Sequence, residues 1–193
     1  MKKIITLVLL LVTVLVSAQE HLKFKNVPID GSLNSFVQKL NNAGLDLTFV
    51  EYSEQVATYR GDFAGLSDCT FHILTTKSGT VCKILVSSDW YYSWSSTKSK
   101  YNKYKELYSE KYTVDANFEG FYRPYYEGDG YELSAIAQDK ADYVTFFRTE
   151  GGGITVRIAA VNNSKGYLIF TYEDFSNMSK YSQEKTKSIS DDI

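Results

Sequence analysis

Two cysteines and two histidines carry the most reactive side chains of this sequence. Cys69 and Cys82 lie on either side of His72, so a Cys–His pair for nucleophilic catalysis is the first arrangement to consider. The pattern predicts a strand over 69–76, and side chains alternate between the two faces of a strand. His72 then lies on the face opposite both cysteines. We therefore expect no thiol catalysis and assign no catalytic residue.

Acidic residues cluster in one glycine-rich stretch, at Glu127, Asp129 and Glu132. Calcium favours such flexible, oxygen-rich loops, but this spacing does not match the Asp-x-Asp-x-Asp-Gly pattern. A solvated turn is the competing interpretation. His21 and His72 do not form a pair at metal-ligand spacing, and there is no Cys-x-x-Cys motif. We expect no metal site and no cofactor, and these three carboxylates are the only candidate ligands.

The sixteen tyrosines and eleven phenylalanines are the positive signal in the sequence. Five aromatic residues share one face of a predicted helix at helical spacing: Trp94, Tyr101, Tyr104, Tyr108 and Tyr112. In one interpretation this stripe packs on a sheet, with its hydroxyl groups at the rim. In the other, aromatic neighbours extend it into an exposed binding surface for a glycan or a protein. The candidate binding residues are Trp90, Tyr91, Tyr92, Tyr122, Tyr125 and Tyr126.

The elements that must position these residues begin with a helix over 33–43. Ser32 is suited to its N-cap and Gly44 to its C-cap. Two β-rich runs then flank Ser78-Gly79, which predicts a hairpin turn. The register that follows places Ile73 opposite Ile84, Phe71 opposite Val86 and Thr75 opposite Cys82.

This register determines whether the two cysteines are close enough to form a disulfide. If the chain is exported, its compartment permits disulfides. Cys69 lies six residues along the hairpin from Cys82, about 20 Å at about 3.3 Å per residue. A disulfide requires Cα atoms within about 7 Å. We therefore predict that both cysteines are free.

The predicted order is helix, four strands, helix, irregular segment over 114–140, and three strands. The irregular segment includes a short strand or helical turn near 133–138. In the last strands, Phe147 is predicted opposite Val156, and Ile158 opposite Ile169. We predict an α+β fold of two helix-then-antiparallel-sheet halves, at 26–89 and 90–175, with tandem duplication as one interpretation. A polar C-terminal tail follows at 176–193.

The first eighteen residues have the three parts of a secretory signal peptide. Lys2 and Lys3 precede thirteen uncharged residues, and Val16-Ser17-Ala18 offers a cleavage site. Thirteen apolar residues span only about 20 Å of the roughly 30 Å hydrocarbon layer. We predict a mature chain from Gln19, with one domain at 19–175 and no membrane span, in the periplasm or outside the cell.

Charge argues against nucleic acid as a partner. Without Lys2 and Lys3, 19 basic residues stand against 23 acidic ones, a formal charge of −4. Nucleic-acid binding requires a basic surface.

Several segments resemble a group of uncharacterised exported proteins from Bacteroides-type bacteria. The segments are 21–31, the helix end at Ala43-Gly44, 61–69, the second helix from Trp94 to Tyr112, and 172–177. The resemblance implies a Gram-negative envelope setting and brings no activity or site residue. In outline, the alternation of helix and antiparallel sheet is also similar to the modules of β-lactamase-inhibitor-like proteins, although fold alone does not establish function.

The function favoured by these observations is an exported, non-catalytic binding domain for a glycan or an envelope protein. One alternative is an envelope hydrolase whose site is assembled from scattered carboxylates. Another is an inhibitor-like module that caps a second protein. An exposed aromatic surface would favour binding, whereas a deep pocket with two carboxylates of displaced pKa would favour an enzyme.

Overall fold

The computed structural model describes residues 20–191, so the predicted signal peptide at 1–18 and its cleavage site lie outside the described residues. Within that range the chain forms ten strands and four helices. The strands are β1 (Lys23–Phe24), β2 (Val27–Pro28), β3 (Thr48–Ser53), β4 (Val56–Phe63), β5 (Leu66–Thr75), β6 (Val81–Ser87), β7 (Thr113–Phe121), β8 (Ala141–Thr149), β9 (Gly152–Asn162) and β10 (Lys165–Asp174). The helices are α1 (Leu33–Asn42), α2 (Trp94–Ser109), α3 (Glu132–Ala137) and α4 (Phe175–Asp191).

Eight strands form one antiparallel sheet in the order β3-β4-β5-β6-β10-β9-β8-β7, and β1 pairs with β2 as a separate ribbon. Alternate residues of the central strands point to the same face. One row across that face consists of Phe71, Val86, Phe170 and Val156, which are paired in register and fully buried. This face carries the hydrophobic core, over which α2 packs.

The prediction of two helix-then-sheet halves is wrong, because one eight-stranded sheet contains strands from both predicted halves. β6 and β10, the last strands of the two predicted halves, pair along five positions from Ser87–Ile169 to Lys83–Glu173. Both strands are apolar on their core face whichever strand they pair with, so the sequence pattern did not reveal this junction. The core is consequently continuous across the predicted boundary.

The prediction of an irregular segment over 114–140 is also wrong for the first part of that range, which forms β7. This strand lies at the sheet edge, and most of its side chains are exposed. A shift of register between Val114 and Ala116 interrupts its alternation, which hides the period-two pattern. A helical turn was one of two predictions near 133–138, and the chain there forms α3.

The first hairpin follows its predicted register over most of its length. Ile73 pairs with Ile84 and Phe71 with Val86, as predicted, and Gly79 has a φ of +85° in the turn. Near the turn the prediction fails, because a register shift after Leu74 pairs Thr75 with Val81, not with Cys82.

The predicted registers of the last strands are wrong by one or two residues. Phe147 pairs with Ile154, because the turn brings Thr149 opposite Gly152. Ile158 pairs with Leu168, since a bulge between Lys165 and Gly166 shifts β10 by one residue. Leu168 therefore faces the core at this position, and Ile169 lies on the other face.

Helix α1 begins and ends where capping chemistry places it. The Ser32 side chain accepts a bond from the Ser35 N–H at the start of α1, and Gly44 follows its end with a φ of +79°. Phe36 and Leu40 form the buried face of α1, in agreement with the predicted pattern. The segment predicted as a polar tail is mostly α4, whose Asn177 is fully buried.

Candidate functional site

The two cysteines are buried, free thiols. Burial raises the pKa of the Cys69 thiol to about 11 and that of the Cys82 thiol to about 12. Both sulfurs therefore carry their protons at neutral pH, and a protonated thiol is a poor nucleophile. His72 lies on the opposite face of β5, where its Nδ1 atom is 3.2 Å from the Thr58 hydroxyl and burial lowers its pKa. The sheet thus separates this imidazole from the Cys69 thiol, which belongs to the core face.

The clustered carboxylates are engaged by neighbouring groups. Glu127 pairs with Lys98, and this bond lowers the pKa of the Glu127 carboxyl. Asp129 accepts a bond from the Tyr126 backbone N–H at 3.1 Å, and Glu132 accepts one from a backbone N–H of the same loop at 2.9 Å. Over residues 20–191, no three His, Cys, Asp or Glu side chains are grouped so that they could hold a metal ion. These carboxylates fix the conformation of the loop that carries them.

The aromatic stripe of α2 packs on the sheet, as the first of the two interpretations predicted, but the hydroxyls of Tyr101 and Tyr108 are buried and do not lie at the rim. Tyr101, Tyr104 and Tyr108 are buried. The Tyr101 hydroxyl lies 2.7 Å from the Thr145 hydroxyl, and Tyr104 donates to the Ala64 carbonyl at 2.9 Å. Each of these hydroxyls therefore has a partner inside the protein, which a buried polar group requires.

The six candidate binding residues lie in two loops, one after β6 and one after β7. Four of them are well exposed: Trp90 at 42%, Tyr92 at 72%, Tyr122 at 57% and Tyr126 at 64%. Tyr91 and Tyr125 are half-buried, and the Tyr91 backbone N–H is bonded to the Gly166 carbonyl at 2.7 Å.

Trp94 connects these two loops. It follows Tyr92 by two residues, and its ring packs against Phe121 with centroids 5.5 Å apart, next to Tyr122. The two loops therefore lie at the same end of the sheet. We call the four exposed rings the loop-end aromatics.

Another concave site lies beneath the C-terminal half of α2. It is a cavity of about 570 Å³ that we call the aromatic cleft. Six rings define it: Phe24, Phe63, Tyr104, Tyr108, Tyr112 and Tyr172. They come from β1, β4, α2, the residues after α2, and β10. The cleft thus forms where the N-terminal ribbon crosses the core face of the sheet.

The floor of the aromatic cleft is a packed set of rings. Phe24 lies edge to face with Tyr172 at a centroid distance of 4.8 Å and stacks on Phe63 at 5.4 Å. The hydroxyls of Tyr108 and Tyr172 are hydrogen-bonded to each other. Burial raises the pKa of both phenols, so both remain neutral at physiological pH. The floor therefore offers ring surface with no net charge.

The mouth of the aromatic cleft carries charges of both signs. Lys23, Lys25 and Lys111 line it, together with Glu20 and Glu150. The neighbouring Glu20 carboxylate raises the pKa of Glu150, so the two acids lie side by side. Charge is thus confined to the entrance, above an uncharged interior.

No local pattern in the sequence predicts the aromatic cleft. Alternation in Lys23-Phe24-Lys25 indicates that the Phe24 ring points inward, and helical spacing places Tyr104 and Tyr108 on one face. Neither pattern shows that these two elements meet, because their contact depends on where the N-terminal ribbon crosses the sheet.

The other face of the sheet is of mixed polarity. One row across it contains Thr58, His72, Leu85, Thr171 and Thr155. A concavity of about 560 Å³ lies on this face, beside the Lys83–Glu173 ion pair.

Over residues 20–191, no helix is both long enough and apolar enough to cross a membrane. No family model, curated protein or solved structure matches the chain.

Proposed function

We propose that the mature chain is an exported, non-catalytic binding domain that takes a small, largely apolar ligand into the aromatic cleft. The observation that carries this proposal is the cleft itself, a cavity of about 570 Å³ lined by six aromatic rings. Small-molecule sites usually measure about 300–1,000 Å³ and are lined by apolar and aromatic side chains with few polar groups. The export component rests on the signal-peptide pattern at 1–18.

The state of the reactive side chains supports binding over catalysis. The thiols of Cys69 and Cys82 hold their protons, and the imidazole of His72 lies on the face of β5 opposite Cys69. The hydroxyls of Tyr108 and Tyr172 at the cleft floor bond to each other. None of these groups is presented to a ligand as a nucleophile or base.

Binding of the neutral dye N-phenyl-1-naphthylamine tests this proposal, because its emission rises in apolar surroundings. We expect saturable binding to the mature protein and its loss in Leu107→Trp. Leu107 lines the aromatic cleft and is about half exposed, so a larger ring at this position narrows the entrance.

Ile189→Trp is the matched control, since Ile189 is similarly exposed but lies on α4 outside the cleft. Dye binding that survives Leu107→Trp unchanged, in a variant with wild-type thermal stability, would contradict the proposal.

A second candidate function is glycan binding by the loop-end aromatics. It is favoured by the exposure of Trp90, Tyr92, Tyr122 and Tyr126, together with neighbouring carboxylates such as Asp142, which accepts a bond from the Tyr122 hydroxyl at 2.9 Å. Exposed rings stack on sugars, and adjacent polar groups hold sugar hydroxyls.

A glycan array tests the second candidate. We expect Tyr92→Ala/Tyr126→Ala to abolish any signal, whereas Tyr52→Ala, an exposed tyrosine on the β3 edge, leaves it intact. A wild-type protein that binds no glycan on the array but captures a specific envelope protein would assign this surface to a protein partner.

A further inference from the structure

The mouth of the aromatic cleft has a charge balance unlike that of the whole chain. Three lysines and two glutamates line it, whereas the whole sequence has 21 basic and 23 acidic residues. The cleft entrance is therefore net positive in an acidic protein.

The positive groups are unequally available to a ligand. Glu150 lies beside Glu20, which raises the pKa of Glu150, and Lys23 is close enough to oppose that rise. Among the ion pairs of residues 20–191, neither Lys25 nor Lys111 has a carboxylate partner. Two lysines at the entrance are thus free to meet an anion.

Lys111 lies beside the apolar wall of the cleft. Its Nζ atom is 5.3 Å from the centroid of the Tyr112 ring, itself one of the six rings of the cleft. Lys25 lies at the turn of the β1–β2 ribbon, directly after Phe24, whose buried ring forms part of the floor. Each lysine therefore places a charge within one residue of a ring that lines the cleft.

From this arrangement we infer that the ligand of the aromatic cleft is an amphiphile with one anionic head group, which Lys25 and Lys111 bind while its apolar body lies against the rings of Tyr108, Tyr112 and Tyr172. The inference rests on the proposed function, since it names the chemical class of the ligand for the same cleft. A cationic head would meet the two unpartnered lysines, and a ligand polar throughout would lose hydrogen bonds to water at the ring floor.

Two dyes with the same skeleton distinguish the contribution of the anionic head group to binding from that of the apolar body. Anilinonaphthalene sulfonate carries one negative charge, and N-phenyl-1-naphthylamine lacks it. We expect the wild-type protein to bind the sulfonate about tenfold more tightly than the neutral dye, a ratio that two partly exposed ion pairs can supply. Added salt should weaken binding of the sulfonate but not of the neutral dye.

The variant Lys25→Gln/Lys111→Gln should lose about tenfold in affinity for the sulfonate and keep its affinity for the neutral dye. The matched control is Lys39→Gln/Lys100→Gln, which removes the same charge from exposed positions on α1 and α2 that do not line the cleft. An equal loss in both double variants would overturn the inference, because the effect would then reflect net charge.

Two further outcomes decide between the inference and the proposed function. If both dyes bind equally and Leu107→Trp blocks both, the head-group inference is wrong and the cleft remains a binding site. If neither dye binds the wild-type protein, or if the sulfonate binds Leu107→Trp as tightly as wild type, both the inference and the proposed function fail. Thermal unfolding of each variant establishes that it is folded.

Discussion

The Nδ1 atom of His21 lies 3.0 Å from a carboxylate oxygen of Asp174, a residue with no exposed surface. The same oxygen accepts the Leu22 backbone N–H at 2.9 Å, and the other accepts the Asn177 backbone N–H at 2.9 Å. His21 and Leu22 are therefore both bonded to one buried carboxylate. Asp174 joins the N-terminal residues that line the aromatic cleft to the start of α4.

Asp174→Asn should destabilise the protein by about 2–4 kcal/mol, because an amide N–H₂ would face one of the backbone N–H donors that the carboxylate now satisfies. Urea unfolding measures this change. Glu173→Gln is the control, since Glu173 forms a partly exposed ion pair with Lys83 that contributes about 1 kcal/mol or less. A loss of stability in Asp174→Asn no larger than that in the control would show that the buried carboxylate is not needed.

The hydroxyl pair of Tyr108 and Tyr172 should behave as a coupled unit. Either single change to Phe leaves the other buried hydroxyl without its partner, at a cost of about 1–2 kcal/mol. The double variant removes both groups, so we expect it to be less destabilised than the sum of the single variants, with a coupling of about 1 kcal/mol. Strict additivity in urea unfolding would show that the two hydroxyls do not depend on each other.

Local patterns in this sequence predicted local structure well. The α1 helix, its Ser32 cap and Gly44, and the Phe71–Val86 pairing follow from periodicity and turn chemistry, which act within a few residues. The burial of the α2 stripe was one of two interpretations, because helical spacing shows that tyrosines share a face but not what covers it.

The features that were missed depend on distant contacts. The pairing of β6 with β10, which makes one sheet, joins positions such as Val86 and Phe170 that no local pattern relates. The aromatic cleft is similar, since Phe24 and Tyr108 meet only after the N-terminal ribbon has crossed the sheet. Bulges such as the one before Gly166 shift the register by a single residue. Each side chain after such a shift lies on the opposite face of the sheet from the one predicted.

Gly166→Ala should destabilise the protein by about 1–3 kcal/mol, because this strand position has no room for a methyl group. A Cβ atom there would lie 2.7 Å from the Thr97 Oγ1 atom and 2.8 Å from a methyl carbon of Leu133. Thr97 cannot easily move, since its hydroxyl donates to the Ser93 carbonyl at 2.7 Å and its side chain is fully buried.

Gly120→Ala in β7 is the control for this steric argument, since a Cβ atom at Gly120 meets nothing within 4 Å. We expect its free energy of unfolding to stay within about 0.5 kcal/mol of wild type. Equal thermal unfolding midpoints for the two alanine variants would contradict the close approach of α2 and α3 to β10.

The thiols of Cys69 and Cys82 should be inert in the folded protein. With pKa values of about 11 and about 12, these thiols are ionised at pH 8 to about one part in a thousand or less. Ellman's reagent should therefore label neither cysteine on the timescale of minutes at pH 8 and should label both in concentrated urea. Rapid labelling of one thiol in the folded protein would mean that the hairpin opens or that its cysteine is exposed.

Stability should fall at alkaline pH. Burial raises the pKa values of Tyr101, Tyr108 and Tyr172 above the ordinary phenol value of about 10. Above pH 10 the unfolded chain therefore loses phenolic protons that the folded protein retains, and the free energy of unfolding decreases as pH rises. Urea unfolding at pH 8, 9, 10 and 10.5 measures the slope, and Tyr101→Phe should flatten it because one retained proton is removed.

Tyr92→Phe, a change at an exposed ring, should leave the slope as in wild type. A slope that does not respond to Tyr101→Phe would mean that this hydroxyl reaches water, against its burial beside Thr145.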